Sequence, residues 1–176
     1  PSAFFKSPLS YAELPFHAIN ALPWRKSNIT HLTTNISSLP QIKCWEKDGG
    51  AFITLPQVFT EDIDKPGVMN GNLGMYRIQL SGNDYIQDKE IGLHYQLHRG
   101  IGVHQTKANA KGQPLKVSIF VGGPPSHSFA AVMPLPEGLS ELTFAGVLGG
   151  RRFRYANKGG YVLSTDADFV ITGEVY

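Results

Sequence analysis

The stretch Asn72-Leu73-Gly74-Met75-Tyr76-Arg77-Ile78-Gln79-Leu80 reads as a β-strand with polar groups set into an apolar run. On extended backbone successive side chains alternate faces, so Asn72, Gly74 and Tyr76 share one face while Leu73, Met75 and Arg77 share the other. Arg77 then lies on the face that should be apolar. Arginine is almost never buried without a partner, so its position implies an anion or carboxylate on that face.

Outward from this stretch the texture remains that of strands. Ala51–Thr60, Ile91–Leu97 and Leu115–Gly122 are rich in Ile, Val, Phe and Tyr and are bounded by Gly, Asp or Asn. Phe153–Tyr155 and Tyr161–Leu163 flank the turn signal Lys158-Gly159-Gly160, and Asp168–Tyr176 closes the chain in strand texture. Three helices are predicted: Val103–Lys111, stopped by Gly112; Pro125–Val132, stopped by Pro134; and Ser140–Leu148, stopped by Gly149-Gly150, with Ser140 as the cap. The expected fold is therefore mainly β with a few helices, in one domain over residues 44–176. Residues 1–43, with Pro8, Pro15, Pro23 and Pro40 among short apolar clusters, read as an extended connector from a preceding domain.

Composition narrows the function classes. The chain has 176 residues, 41% of them hydrophobic and 17% charged, which suits one globular domain with a real core. No apolar run approaches the eighteen or so residues of a membrane helix. Sixteen basic against fourteen acidic residues give +2, with no basic cluster longer than Arg151-Arg152, so no nucleic-acid partner is expected. The single Cys44 excludes an internal disulfide and any multi-cysteine metal site, which fits a reducing compartment, and the cytoplasm is expected. Asn28-Ile29-Thr30 and Asn35-Ile36-Ser37 match the glycosylation pattern, a match common by chance. The chain begins at Pro1 rather than methionine and stops at Tyr176 within an apolar alternation, so both ends read as cuts in a longer protein.

Several groups could carry chemistry. His94-Tyr95-Gln96-Leu97-His98-Arg99-Gly100, followed by His104, gathers useful polar groups. Two histidines four residues apart on a strand lie about 13 Å apart, so His94 and His98 cannot share one ion, and a polar edge strand explains the cluster equally well. Glu141 in a first helical turn reads first as opposing the helix dipole. Glu61-Asp62-Ile63-Asp64 could chelate a hard cation, yet it precedes Pro66-Gly67 and reads as a solvated loop. Cys44 has no evident partner base and no serine lies in a nucleophile elbow, which disfavours a hydrolase.

Taken in order, Cys44–Thr54 (CWEKDGGAFIT), Asn72–Arg77, His98-Arg99-Gly100, Met133-Pro134-Leu135-Pro136-Glu137-Gly138, Leu139-Ser140-Glu141 and the strand Asp168–Val175 resemble the middle region of the UbiD-type decarboxylases. The resemblance runs from about Cys44 onward. It implies a split β-barrel like the FMN-binding domain of flavin reductases, binding prenylated FMN with a divalent cation, usually Mn²⁺, and K⁺. It implies Asn72, His98 and Glu141 as metal ligands. Met75, Tyr76, Arg77, His94, Tyr95, Gln96, Arg99 and Gly100 would lie against or near the flavin, and the carbonyls of Ala130, Ala131 and Met133 would hold K⁺. Arg77 would face the carboxylate of an aromatic or unsaturated acid, such as a quinone precursor.

The resemblance further implies a homo-oligomeric full-length carboxy-lyase, with membrane contact only through a lipophilic substrate. Its acid/base carboxylates would lie beyond Tyr176, so the isolated chain would be a cofactor-binding fragment without turnover. Two other classes stand beside it. A non-catalytic flavin-binding or subunit-assembly module could use the same barrel, and an ordinary flavin reductase would leave Asn72, His98 and Glu141 without a task.

Overall fold

The computed structural model of the chain describes residues 14–136 and 139–176; Pro8 of the expected connector and Glu137-Gly138 of the expected motif lie outside them. In chain order its elements are α1 (Leu14–Ala18), β1 (Trp24–Arg25), β2 (Phe52–Ile53), β3 (Gln57–Glu61), β4 (Gly71–Gly74), β5 (Arg77–Gln79), β6 (Gly92–His94), α2 (Gly100–Ala110), β7 (Leu115–Val121), α3 (Pro125–Val132), α4 (Glu141–Leu148), β8 (Arg154–Lys158), β9 (Tyr161–Ser164) and β10 (Phe169–Val175).

The central layer is an antiparallel sheet in the order β10-β7-β3-β4. Both of its faces are covered, which is why β7 (LKVSIFV) is apolar almost throughout. On one face Val58, Val117 and Ile119 pack with Ile78 and with Ile101 and Ala108 of α2. On the other, Phe59, Leu73 and Phe120 pack with Leu142 of α4, Phe153 and Val162. The Phe59 and Phe120 rings stack at 6.2 Å, and fully burying such a side chain contributes about 2 kcal/mol. Two small sheets flank this layer: β2-β5-β6, all antiparallel, and β1-β8-β9, where β1 runs parallel to β8. Among the described residues the three sheets share no ladder that closes them into one barrel. The chain is mainly β with a few helices, as the sequence predicts.

Three strands expected to be continuous are interrupted. Ala51–Thr60 breaks because Leu55, just before Pro56, takes a left-handed φ of 53° and separates β2 from β3. Asn72–Leu80 divides between two sheets, because the Met75 N–H bonds to the Ala131 carbonyl at 3.0 Å, not to a neighbouring strand. Ile91–Leu97 is reduced to β6, with Leu97 and His98 in a turn, so the strand spacing assumed for His94 and His98 does not apply. Helix α2 starts at Gly100, three residues ahead of the predicted Val103. In contrast, α3 spans the predicted Pro125–Val132, and Ser140 caps α4 by accepting the Leu142 N–H at 3.2 Å.

Candidate functional site

The candidate site lies where β4 forms the edge of the central sheet, between the start of α2 and the start of α4. Asn72, Gly74 and Tyr76 do share a face, as alternation requires. The Tyr76 ring lies across Gly74 so closely that a Cβ at residue 74 would come within 2.5 Å of it. This brings the Tyr76 hydroxyl to the Asn72 amide, whose Nδ2 donates to it at 3.3 Å. Asn72 Oδ1 then faces Gly100, where a Cβ would sit 2.0 Å from that oxygen. Glycine at residue 100 therefore lets the helix start approach the carboxamide, and a side chain there would displace it.

Glu141, the first residue of α4, reaches the same edge. Its Oε2 accepts the Leu73 N–H at 3.2 Å, one residue along from Asn72. Burial pushes its carboxyl above the usual carboxylate range, and the backbone N–H groups of Glu141 and Leu73 offset this only in part. No cationic side chain pairs with it among the described residues. A partly buried carboxylate with no counter-charge among the described residues, bonded to the strand one residue from a carboxamide side chain, has donor chemistry that suits a hard divalent cation.

The remaining expected residues are distributed around this corner. Met75 is tied to the C-terminal end of α3 by its bond to Ala131. Each carbonyl expected to hold K⁺ already accepts one backbone N–H: Ala130 from Met133 at 3.2 Å, Ala131 from Met75 at 3.0 Å, and Met133 from Leu135 at 3.0 Å. Tyr95 meets Tyr76 edge-on, with ring centroids 6.3 Å apart, and burial raises its hydroxyl above the usual value. Arg77 is exposed, which corrects the expectation of an arginine on a buried apolar face. It opens β5, opposite His94 in register, and its guanidinium rests over the Phe52 ring at 4.1 Å. Gln96, His98 and Arg99 are exposed just before α2, and His98 and Arg99 directly precede Gly100, the residue that faces Asn72.

Two buried polar clusters lie away from this corner, and of their members the sequence analysis named only His104, as part of the polar run that begins at His94. Thr60 Oγ1 and His104 Nδ1 are hydrogen-bonded at 2.9 Å in the core. Burial lowers His104 from its ordinary value, with Asp62 opposing the shift and Lys107 adding to it. Asp166 is enclosed by Arg154 and Arg151, the latter at 2.6 Å. Burial alone would raise its carboxyl, but the two guanidinium groups outweigh burial and hold it below the usual range. Next to it, the His127 ring lies against Phe153 in a tilted arrangement, centroids 4.8 Å apart, and burial lowers its imidazole to about 4. The acidic run 61–64 is engaged in ion pairs: Lys107 binds Asp62 and Lys111 binds Asp64, both at 2.6 Å.

Comparison with known proteins agrees with the resemblance. The family model of the UbiD 3-octaprenyl-4-hydroxybenzoate carboxy-lyase Rift-related domain matches residues 19–176. A Chlamydia pneumoniae protein named as one subunit of a 4-hydroxybenzoate decarboxylase is 41% identical over 144 residues, covering 81% of this chain and 23% of the relative. An uncharacterized Aquifex aeolicus protein is 36% identical over 141 residues, covering 80% of this chain and 26% of its own length. The chain thus spans about a quarter of these relatives. Among solved structures, vanillic acid decarboxylase of Sedimentibacter hydroxybenzoicus in its closed form superposes with a TM-score of 0.74 at 25% identity, over 93% of this chain and 38% of that one. The UbiD-class enzyme HmfF from Pelotomaculum thermopropionicum, in an evolved dimeric form solved with prFMN, gives 0.71 at 21% identity, over 92% and 39%, and supports the fold. The corner built by β4, α2 and α4 therefore sits in a chain that belongs to the UbiD carboxy-lyase family.

Proposed function

We propose that the chain is the cofactor- and metal-holding part of a prenylated-FMN-dependent, non-oxidative decarboxylase of an aromatic or unsaturated carboxylic acid, a quinone precursor being one such acid. The observation that carries this reading is Glu141, a carboxylate raised by burial and without a cation among the described residues, joined to β4 one residue from Asn72. Asn72, His98 and Glu141 would hold Mn²⁺, and the carbonyls of Ala130, Ala131 and Met133 would hold K⁺ with their remaining lone pairs. Oxygen ligands with one imidazole suit Mn²⁺. When bound, the modified flavin supplies the electron sink for decarboxylation.

This chain's own residues then bind and orient. Met75, Tyr76, His94, Tyr95, Gln96, Arg99 and Gly100 would line the flavin. Arg77, braced face-on by Phe52, keeps the N–H edge of its guanidinium available for a substrate carboxylate. Such bidentate holding directs the carboxylate that leaves as CO₂. Protonation of the resulting carbanion equivalent needs a positioned acid, which this reading assigns to another part of the enzyme. Residues 44–176 would act as the binding domain and 1–43 as its connector, in a cytoplasmic homo-oligomer.

Arg77→Ala in the protein that carries this domain, assayed with cofactor present, tests the reading. Decarboxylation should fall by about a hundredfold while flavin is retained. An unchanged rate removes Arg77 from the reaction, and turnover of an aromatic or acrylic acid by the isolated chain would contradict the assignment of a holding part.

A further inference from the structure

We infer that Thr60 and His104 are positioning residues for Asn72. The inference grows from a match between one helix face and two adjacent strands. Thr60 on β3 is the register partner of Asn72 on β4, so the two side chains project from the same face of the sheet, directly opposite each other. Helix α2 lies over that face and touches β4, β3 and β7. Gly100 and His104 are one turn apart on it, on neighbouring positions of one face. Gly100 abuts Asn72 Oδ1, and His104 bonds Thr60 Oγ1 at 2.9 Å. One helical turn advances about 6 Å over four residues, against a strand spacing of about 4.8 Å, so successive turns of α2 meet successive strands.

At residue 100 the missing side chain leaves room for the Asn72 carboxamide, and that room does not by itself fix where the helix sits. The Thr60–His104 bond is directional and lies wholly within the core, where Thr60 is 1% and His104 8% exposed. It therefore fixes where α2 sits along the β3–β4 ladder and, through Gly100, where Asn72 presents its oxygen. The consequence for metal binding rests on the reading of Asn72 as a ligand; the positioning of its side chain does not.

The test is NMR on the ¹⁵N-labelled chain, comparing the side-chain amide pair of Asn72 with that of Gln57. Gln57 lies on the opposite face of the sheet, bonded to Gly122 O and Ser128 Oγ, and serves as the internal reference. Thr60→Val removes the bond at nearly equal volume, and His104→Phe removes it with a somewhat larger ring. Each should shift or broaden the Asn72 pair and leave the Gln57 pair in place, and Thr60→Ser should restore the wild-type signals. An Asn72 pair unchanged in both variants, or one that moves together with Gln57, overturns the inference. If His104→Phe does not fold, the Thr60 pair of variants decides alone. In the same samples Mn²⁺ affinity should fall roughly tenfold to a hundredfold. Failure of the wild-type chain to bind Mn²⁺ would count against the metal reading, while the amide signals still decide the positioning role.

Discussion

Glu141 and Asp166 are both carboxylates withdrawn from water, and they sit in opposite electrostatic settings. Asp166 has its counter-charge built into the fold: Arg151 and Arg154 surround it and hold its carboxyl low. Among the described residues Glu141 has only backbone N–H donors, and burial leaves its carboxyl high. A charge partnered by side chains belongs to the architecture. A carboxylate with no cationic partner among the described residues is where the proposed function would place a cation from outside, and on that reading the two corners have different tasks.

The largest effect that could break this comparison is on the Asp166 side. Asp166→Asn leaves two guanidinium groups facing a neutral amide and should lower stability to urea by about 2–3 kcal/mol, less than for a fully enclosed pair because both arginines keep solvent contact. A loss no larger than that of a surface substitution would show that the network does not hold the fold.

A smaller effect, and a sharper one, is the pH profile of stability, because the groups act with opposite signs. His127, lowered from 6.5 to about 4, contributes stability that is full above pH 6.5 and is lost as pH falls towards 4. Asp166, held below 3.8, loses its contribution only at lower pH still. Glu141, raised above 4.5, contributes stability that is full below pH 4.5 and is lost as pH rises through its raised value. Urea midpoints should therefore fall on acidification in the wild type. His127→Leu should flatten that fall between pH 6.5 and 4, and Glu141→Gln should raise the midpoint on the neutral side by a lesser amount. A Glu141→Gln profile identical to the wild type would remove the contrast.

Local chemistry made much of this legible in the sequence. Ser140, Pro134 and Gly149 mark helix ends, and the Lys158-Gly159-Gly160 turn places the β8–β9 hairpin, because caps and turns are set by residues close in sequence. The division of Asn72–Leu80 was not legible, since the bond that causes it comes from Ala131, far along the chain. The exposure of Arg77 follows from the same division. Glu141 illustrates the limit for the site: by position in a first helical turn it reads as dipole stabilisation, the resemblance to the UbiD-type decarboxylases makes it an expected metal ligand, and its packing against β4 adds that no cationic side chain pairs with it among the described residues. Asn72 and Tyr76 were legible as a pair because alternation across Gly74 brings them together. The Thr60–His104 bond was not, because it depends on the register of two strands and a helix laid across them.

The most direct measurement is an electron paramagnetic resonance titration of Mn²⁺ into the chain and into its Glu141→Gln variant, in which the Leu73 N–H keeps an acceptor and only the charge is lost. Saturable binding at one site, weakened at least about tenfold by the substitution, is the predicted result. Equal affinity in the two proteins, or no saturable binding in the wild type, would contradict the assignment of Glu141 as a carboxylate awaiting its cation.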